Sequence, residues 1–513
     1  MERFNASTWL VDRHVAEGRG GRVAVECGDQ QLTYTDLLAE VHAAANGLRQ
    51  LGVRSEERVV LVLNDGVAFL ATFLGALRIG AIPVPVSTML TGKDLGVIVD
   101  DARARVIYLS QPYAPLLPAI TDGAPELATA VVDGDAAEGT GVLTHRLDHV
   151  AFDRTEAAVA RTTHDSPAFW LYTSGTTGTP KGAMHRHVDL RATADTYAAS
   201  VLQTRADDRF FSVAKLFFAY GLGNSLTFPL AVGATTILWP ERPTPVGVAE
   251  VCVRHRPTLF FAVPGFYAAM LDADLPPDTL GSARASVSAG EALPPELHRR
   301  FTTRFGVPLL DGIGTTEVLH IFCSNTVGAE RPGTSGTPVE GYELKLLDDD
   351  GVEVTTPDTP GALYVKGDSV ATGYWCRTAT SRQVFAGEWM RTGDTYTRSA
   401  DGYYTCLGRS NDMIKPGGIW VSPAEVEAVL IEHPDVLEAA VVGARNDDGL
   451  EEPVAFVVPR SGAGVDAAAL DAHCRERMAS FKRPRRVIVV DALPKTATGK
   501  IQRYALRERL SAN

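Results

Sequence analysis

Short apolar runs that alternate with helix-like patterns constrain the fold of this chain more than any other feature of its sequence. The runs at residues 59–63 and 105–109 are continuous and rich in β-branched side chains, as in parallel strands that helices cover on both faces. Apolar residues from Leu37 to Leu48 recur at a spacing of three to four behind Thr35, the predicted helix N-cap. This alternation predicts an α/β fold.

The C-terminal part of the chain forms a smaller unit with its own pattern. Ser422-Pro423-Ala424-Glu425 is a capping box with proline at the first helical position, so a helix is predicted to begin there. Strands are predicted at 437–442, 454–458 and 487–490, and a helix near 465–478. The polar segment 408–412 separates this unit from the rest. We therefore predict a large N-terminal body of packed α/β subdomains, residues 1–410, and a small α+β C-terminal domain, residues 411–513.

Composition and charge exclude several classes of protein. The net charge of −13 argues against nucleic acid as the main partner, because phosphate binding needs a basic face. The six cysteines show no CxxC pair and no metal-ligand spacing, which predicts reduced thiols in a cytoplasmic protein. Residues 1–15 carry charges and no apolar core, so no signal peptide is predicted. The uncharged stretch 216–240 contains Gly221, Asn224 and Pro229, which favour a buried strand and loop over a membrane span.

The strongest sign of chemistry is the run from Tyr172 to Gly182, which reads Y-T-S-G-T-T-G-T-P-K-G and follows the apolar residues 168–172. A strand that leads into glycines and hydroxyls offers backbone N–H groups and side-chain donors to an oligophosphate, and Lys181 offsets its charge. Lys181 is followed by Gly182-Ala183, so the Ser or Thr of a Walker A loop is missing. The run therefore predicts a phosphate-binding loop of another kind.

This loop resembles the phosphate-binding signature of the adenylate-forming superfamily, which comprises acyl-CoA synthetases, peptide-synthetase adenylation domains and luciferases. Further segments resemble the other signatures of that superfamily and occur along the chain in the expected order. They are residues 32–37 (L-T-Y-T-D-L), 80–84 (G-A-I-P-V), 288–294 (S-A-G-E-A-L-P), 314–317 (G-T-T-E), 391–394 (R-T-G-D), 408–412 (G-R-S-N-D) and 494–500 (P-K-T-A-T-G-K). An ordered set of this size does not arise by chance.

The resemblance implies that the chain uses ATP and Mg²⁺ to activate a carboxylic acid. Lys500 would lie between the acyl carboxylate and the α-phosphate, where negative charge accumulates. Glu317 and Thr173 would hold Mg²⁺ near the same phosphates.

The same resemblance implies a nucleotide site assembled from several motifs. Asp394 would accept both ribose hydroxyls, and Arg409 would donate toward the ribose. The segment 290–292 and Asp311 would frame adenine. The implied ATP-binding residues are Thr173, Ser174, Gly175, Thr176, Thr177, Gly178, Lys181, Gly290, Glu291, Ala292, Asp311, Gly312, Ile313, Thr316, Asp394 and Arg409.

Two segments resemble the benzoate-type aryl-CoA ligases within this superfamily. They are residues 215–224 (K-L-F-F-A-Y-G-L-G-N) and 311–322 (D-G-I-G-T-T-E-V-L-H-I-F). The resemblance implies an acid pocket lined by Ala219, Tyr220, Gly314, His320 and Ile321. Tyr220 would supply a ring wall and His320 a polar edge, while Gly314 would leave room for a flat ring. The expected substrate is benzoate or a substituted benzoate.

The resemblance also implies a second half-reaction. The C-terminal domain would turn about Asn411 and withdraw Lys500 from the site. The segment with Lys415, Gly417 and Gly418 would then face the pantetheine thiol of coenzyme A, since glycine leaves space for a thin arm. Asn411 stands where relatives often carry an acidic hinge residue.

The expected enzyme is an AMP-forming acid–thiol ligase that makes aroyl-CoA, as a monomer or homodimer. The alternative is a freestanding adenylation enzyme that loads an aryl acid onto the phosphopantetheine arm of a carrier protein, because it shares every motif above. A catalytically silent nucleotide-binding relative is disfavoured. The residues that argue against it are Lys181, Glu317, Asp394, Arg409 and Lys500.

Overall fold

The computed structural model describes residues 2–135, 142–174, 180–410, 412–414, 416, 421–446, 451–460, 464–495 and 501–511. Its strands, in chain order, are β1 (Val23–Cys27), β2 (Gln30–Thr33), β3 (Arg58–Val62), β4 (Ile82–Pro85), β5 (Val106–Ser110), β6 (Thr129–Asp133), β7 (Leu143–Arg146), β8 (Pro167–Ser174), β9 (Pro180–Arg186), β10 (Arg209–Ser212), β11 (Thr235–Leu238), β12 (Leu259–Ala262), β13 (Ala285–Ser288), β14 (Leu309–Gly314), β15 (Ile321–Ser324), β16 (Thr337–Pro338), β17 (Glu343–Leu347), β18 (Gly361–Lys366), β19 (Phe385–Ala386), β20 (Trp389–Arg398), β21 (Tyr404–Arg409), β22 (Val436–Arg445), β23 (Glu451–Pro459) and β24 (Arg486–Val489).

Its α-helices, in chain order, are α1 (Arg13–Ala16), α2 (Tyr34–Gln50), α3 (Val67–Ile79), α4 (Gly92–Asp101), α5 (Leu117–Gly123), α6 (Leu147–Val150), α7 (His187–Thr193), α8 (Ala219–Leu222), α9 (Phe228–Val232), α10 (Pro245–His255), α11 (Pro264–Asp272), α12 (Pro295–Phe305), α13 (Thr378–Val384), α14 (Pro423–Ile431), α15 (Ala467–Arg477) and α16 (Arg503–Ser511). Short π-helical turns span Thr8–Asp12, Ala194–Val201 and Gly223–Thr227, and 3₁₀ turns span Gln111–Leu116, Pro277–Leu280 and Thr316–Val318.

The first sheet has the strand order β4-β3-β5-β6-β7, and all of its pairs are parallel. Val59 of β3 pairs with Val106 of β5, so the two apolar runs of the sequence lie side by side. Val59 and Leu61 pack into the core beneath α2 and α3, whereas Val60 and Val62 pack on the opposite face beneath α4 and α5. The predicted parallel sheet covered by helices on both faces is therefore confirmed.

Helix α2 begins earlier than the sequence pattern predicts. Thr33 is its N-cap: the Thr33 side chain accepts the Asp36 N–H at 3.2 Å, and Asp36 accepts the Thr33 N–H at 2.9 Å. Thr35 lies inside the first turn, so the N-cap predicted there is wrong. The reciprocal pairing decides between the two threonines, because only Thr33 has an acidic residue three positions on.

The second sheet has the order β16-β15-β14-β13-β12-β10-β11-β1-β2, with parallel strands in its centre and antiparallel strands at its edges. The stretch 216–240 supplies β11, as predicted, but the part predicted as a loop is mostly helical from Ala219 through Val232. Gly233 ends this helical segment with a φ of +76°. Tertiary burial overrides the weak helix preference of its glycines. Among the described helices, none has the length and apolar composition needed to cross a bilayer.

A third sheet orders β17-β18-β20-β19, with β21 paired to β20, and leads to a smaller C-terminal unit. There β22, β23 and β24 form a sheet packed by α14, α15 and α16. Ser422 accepts the Glu425 N–H at 3.2 Å at the start of α14, which confirms the predicted helix start. The fold is a large α/β N-terminal body with a smaller α+β C-terminal domain, as predicted.

Candidate active site

The hairpin of β8 and β9 flanks the predicted phosphate loop. Thr173 pairs with Lys181 across the two strands, one step before Ser174 pairs with Pro180. Cross-strand partners lie about 5 Å apart in antiparallel pairing, so Thr173 and Lys181 stand side by side at the end of this hairpin. The predicted loop residues Gly175, Thr176, Thr177 and Gly178 lie outside the described residues, as does the side chain of Ser174.

Tyr374 joins this hairpin to Glu317. The chain next to Tyr374 pairs with β9, where the Trp375 amide donates to Gly182 O at 2.9 Å. The Tyr374 hydroxyl donates to Glu317 Oε1 at 2.7 Å, and its ring centroid lies 5.6 Å from Lys181 Nζ. Burial and the adjacent carboxylate raise the pKa of Tyr374, so the phenol remains a donor. The predicted phosphate-binding lysine and metal-binding carboxylate thus face one aromatic side chain.

Glu317 is held on a short 3₁₀ turn, Thr316–Val318, that follows β14. Both ring nitrogens of the buried His185 face oxygen acceptors, Thr316 O at 2.9 Å and Asp189 Oδ2 at 2.9 Å. The imidazole therefore ties the start of the turn to β9 and α7, which fixes the position of the Glu317 carboxylate relative to the hairpin.

Asp394 and Arg409, the predicted ribose-binding residues, are direct partners across β20 and β21. Arg409 Nε lies 3.1 Å from Asp394 Oδ1, and Arg409 also donates to Thr392 O at 3.1 Å. The Asp394 carboxylate raises the pKa of Arg409 because it stabilises the charged guanidinium. The structure brings these two residues together as an ion pair.

The predicted adenine-binding residues come from two neighbouring parallel strands. Ser288 of β13 pairs with Asp311 of β14, so the turn at 290–292 and the end of β14 lie at one edge of the sheet. Gly290 has a φ of +97°, which glycine adopts without strain. Asp311 is buried, its Oδ1 has no hydrogen-bond partner within the described ranges, and burial raises its pKa well above the usual value. An unpaired acceptor here fits a donor such as the amine of adenine.

The predicted acid pocket includes the turn from β14 into β15. Gly314 pairs with Ile321, and the register shifts between Ile313 and Gly314, as bulges do next to functional sites. A Cβ on Gly314 would lie 2.5 Å from His320 O, and one on Gly312 would lie 2.8 Å from Ile321 Cγ2. Glycine is therefore required at both positions for the two strands to approach.

Tyr220 brings the helical segment of the pocket against the same turn. It follows Ala219 in α8, and its hydroxyl donates to Val287 O of β13 at 2.9 Å. Its ring centroid lies 5.6 Å from that of His320. The five predicted pocket residues thus come from two segments that meet over the carboxyl ends of β13 and β14.

His320 is buried in a fixed orientation. Its Nε2 lies 3.1 Å from Asn224 Oδ1, and Asn224 Nδ2 donates to Ser212 Oγ at 3.3 Å. The amide oxygen therefore faces the imidazole, so Nε2 carries the hydrogen and Nδ1 is an acceptor without a partner in the described part of the chain. Burial lowers the pKa of His320 to about 3, so the ring is neutral at ordinary pH. The rings of Tyr197 and Phe228 lie 5.1 Å and 4.5 Å away.

The residues predicted to serve the second half-reaction cannot be placed in this site. Asn411, Lys415, Gly417, Gly418 and the catalytic candidate Lys500 all lie outside the described residues. Their neighbours are described: Asp412 pairs with Arg507 of α16 at 2.7 Å, and Ile501 contacts Glu291 of the N-terminal body.

A family model described as AMP-binding enzyme matches residues 12–375, and one described as AMP-binding enzyme C-terminal domain matches residues 425–500. This chain belongs to the AMP-binding enzyme family. A benzoate–CoA ligase of Thauera aromatica is 47% identical to it over 99% of this chain and 96% of the relative. A 4-hydroxybenzoate–CoA/benzoate–CoA ligase of Rhodopseudomonas palustris is 44% identical over 99% and 94%. The crystal structure of the anthranilate CoA ligase AuaEII with anthranoyl-AMP is 41% identical, with a TM-score of 0.94 over 99% of this chain and 98% of that one.

Two residues of this AMP-binding enzyme escaped the sequence reasoning, although both left a signal. Tyr374 stands in the aromatic pair Tyr374-Trp375, directly after Gly373. Asn224 has the one side-chain amide in the uncharged stretch 216–240, and a buried amide needs hydrogen-bond partners. Neither signal identifies the partner, because Glu317 and His320 are distant in sequence.

A cavity of about 740 Å³ has a different lining. Among the residues that line it are Asn64, Ser110 and Asp133, at the carboxyl ends of β3, β5 and β6. None of the predicted site residues that the structure describes is among the residues that line it. The candidate active site therefore lies at the second sheet, the β8–β9 hairpin and the β20–β21 pair.

Proposed function

We propose that this chain is an ATP-dependent ligase that activates benzoate or a substituted benzoate as an acyl-adenylate. It then transfers the aroyl group to coenzyme A, with release of AMP and pyrophosphate. The main support for the proposal is that one short segment, Gly314 to Glu317, contributes both to the aromatic pocket and to the phosphate site. Gly314 belongs to the aromatic pocket with Tyr220, and Glu317, three positions on, faces Tyr374 and the phosphate hairpin. A carboxylate on a ring in that pocket is thereby directed toward the nucleotide phosphates.

The relatives support this substrate class. The relatives from Thauera aromatica and Rhodopseudomonas palustris are named as ligases of benzoate or 4-hydroxybenzoate with CoA. The structural neighbour AuaEII holds anthranoyl-AMP, an aryl-adenylate. The neutral imidazole of His320 and the ring of Tyr220 suit an uncharged aromatic ring better than a second carboxylate.

In the first half-reaction the acid carboxylate attacks the α-phosphate and pyrophosphate leaves. Lys181 and Lys500 would offset the charge of the phosphates and of the attacking carboxylate. Asp394 would accept the ribose hydroxyls while Arg409 fixes its orientation, and Asp311 Oδ1 would accept from adenine. These contacts bring the two anions together and supply the orientation that the step needs.

The residues present fit a Mg²⁺ ion that is shared with the nucleotide. Glu317 engages Tyr374 through Oε1, and the described residues contain no group of three or more His, Cys, Asp or Glu side chains that could hold a metal alone. One protein carboxylate plus substrate phosphates is the usual arrangement for Mg²⁺. Glu317 and Thr173 would hold the ion, which supplies charge neutralisation at the phosphates.

In the second half-reaction the thiol of coenzyme A attacks the acyl carbon and AMP leaves. We assign the turning of the C-terminal domain, residues 411–513, to a pivot at Asn411 that withdraws Lys500. Lys415, Gly417 and Gly418 would then line the path of the pantetheine arm. The pairing of Asp412 with Arg507 supports a pivot just before Asp412, because it ties that residue to the C-terminal helix.

The experiment that tests this function combines an acid panel with two acceptors. The protein is incubated with ATP, Mg²⁺ and benzoate or its hydroxy, amino and halo derivatives, with either free CoA or a phosphopantetheinylated carrier protein. We expect acid-dependent AMP, pyrophosphate and aroyl-CoA with free CoA. Loading of the carrier without use of CoA would favour the alternative adenylation enzyme, and the absence of acid-dependent AMP would contradict both.

A further inference from the structure

One hydrogen bond connects the C-terminal domain to the nucleotide edge of the N-terminal body. The backbone N–H of Ile501 donates to Glu291 Oε1 at 3.0 Å, across 210 positions of the chain. Ile501 directly follows Lys500 in the sequence. Glu291 stands in the turn after β13, where Gly290 takes a φ of +97°. The contact therefore joins the end of the lysine-bearing segment to the turn predicted to bind the nucleotide.

The two ends of the segment that contains Lys500 are paired with each other, and we call these paired ends its base. Lys495 and Ile501 form an antiparallel backbone bridge, and the Gln502 N–H donates to Pro494 O at 2.8 Å. Residues 496–500, between these ends, lie outside the described residues. Because both ends are paired to each other, a contact at Ile501 fixes the whole base relative to the N-terminal body.

Two other contacts lie between the same faces. Arg460, at the end of β23, is 3.9 Å from Asp272 of α11. A Cβ on Gly265 would be 3.8 Å from Lys495 Nζ, which shows how closely that lysine approaches α11. The Arg460 pair is long and contributes little on its own. The Ile501 bond is the short, directional contact among the three.

We infer that Glu291 is a positioning residue for the adenylate-forming half-reaction. Its carboxylate oxygen docks the base of the Lys500 segment through the Ile501 amide and so holds the C-terminal domain where Lys500 can serve the first step. This inference rests on the proposed function. The amide needs only an acceptor oxygen, so glutamine preserves the contact and alanine removes it.

A positioning role for Glu291 predicts that its removal impairs the first half-reaction more than the second. Glu291→Ala should lower aryl-acid-dependent ATP–pyrophosphate exchange at saturating ATP by about tenfold, as expected for one lost hydrogen bond to a charged group. With synthetic aroyl-adenylate at saturating concentration, so that any adenine contact of the 290–292 turn does not limit the rate, thioester formation with CoA should fall less than the exchange, because Lys500 is withdrawn in that step. Glu291→Gln should retain most of the exchange rate.

The experiment measures both half-reactions, the KM for ATP and the deuterium exchange of residues 494–502 in the full-length protein. The control is Glu40→Ala, whose carboxylate pairs with Arg154 within the N-terminal body. The expected result is faster deuterium exchange of residues 494–502 in Glu291→Ala, with Glu291→Gln and the control like the wild type.

Unchanged deuterium exchange, an equal loss in both half-reactions, a raised KM for ATP alone, or a glutamine variant as impaired as alanine would each overturn the inference. A wild-type protein without pyrophosphate exchange would count against the proposed function, while the deuterium measurement would still decide the docking contact.

Discussion

The Tyr374 hydroxyl donates a hydrogen bond to Glu317 Oε1 at 2.7 Å, and the same ring lies 5.6 Å from the ammonium of Lys181. One phenol therefore orients the proposed Mg²⁺ ligand and packs against the proposed phosphate lysine. The arrangement couples the two charged groups that the proposed mechanism assigns to the same phosphates, and it can be tested by removing a single oxygen.

Tyr374→Phe keeps the ring and removes the donor. We expect acid-dependent pyrophosphate exchange to fall by about tenfold, since a hydrogen bond to a charged group contributes about 1.5–3 kcal/mol. The Mg²⁺ concentration for half-maximal exchange should rise, because Glu317 loses its fixed orientation. The control is Tyr403→Phe, whose hydroxyl donates to Ala329 O at 3.2 Å away from the site. An unchanged Mg²⁺ dependence in Tyr374→Phe would show that the pair has no part in metal binding.

Tyr220→Ala removes the ring wall of the proposed acid pocket. We expect the ranking of benzoate and its substituted derivatives by kcat/KM to change, because the space beside His320 widens. Tyr220→Phe separates the ring from the hydroxyl, which bonds Val287 O at 2.9 Å, and should keep the wild-type ranking. If Tyr220→Ala also keeps it, the pocket lies elsewhere.

Asn224→Leu tests the orientation of His320. The change removes the Asn224 acceptor of the buried Nε2–H of His320, which costs about 1–3 kcal/mol of unfolding free energy. The KM for the aryl acid should rise because the imidazole is no longer fixed. In a double-mutant cycle with His320→Leu, we expect the double variant to lose less stability than the sum of the single variants. Additive losses would mean that the two side chains act independently.

The pH dependence of stability provides a further test at His187. Burial lowers the pKa of His187 to about 4 from 6.5, and its Nδ1 accepts the Ala6 N–H at 3.1 Å. The unfolded chain therefore binds a proton more readily, so stability is lost as the pH falls from about 6.5 toward 4. This group accounts for roughly 3 kcal/mol of that loss.

His187→Gln should lessen the decline in unfolding free energy measured by urea titration between about pH 7 and pH 4.5. His149→Gln, at an exposed position, serves as the matched control. An identical decline in wild type and His187→Gln would contradict the assignment.

The parts of the fold that depend on local pattern were predictable. The β-branched runs at β3 and β5 and the start of α14 at Ser422 are confirmed because each is encoded within a few residues. Thr33, and not the predicted Thr35, is the N-cap of α2 because it exchanges hydrogen bonds with Asp36. This signal is also local, but using it requires a choice between two threonines. The helical course of 219–232 was not predicted, because burial in the surrounding core outweighs the glycines of that segment.

The sequence motifs identified the residues of the candidate site, but several contacts that hold these residues in place could be recognised only from the structure. The pairs Asp394–Arg409 and Thr173–Lys181 arise from strand register, which brings separate motifs together. Tyr374–Glu317 and Asn224–His320 join residues 57 and 96 positions apart, and no spacing in the sequence reports such pairs. The roles of the site residues remain predictions.

In the proposed mechanism, one chain carries out two half-reactions and uses Lys500 only in the first. The most direct test compares Lys500→Ala with the wild type in acid-dependent ATP–pyrophosphate exchange and in thioester formation from synthetic aroyl-adenylate and CoA. We expect the variant to lose the exchange by several orders of magnitude and to retain thioester formation. Loss of both steps, or retention of the exchange, would contradict this mechanism.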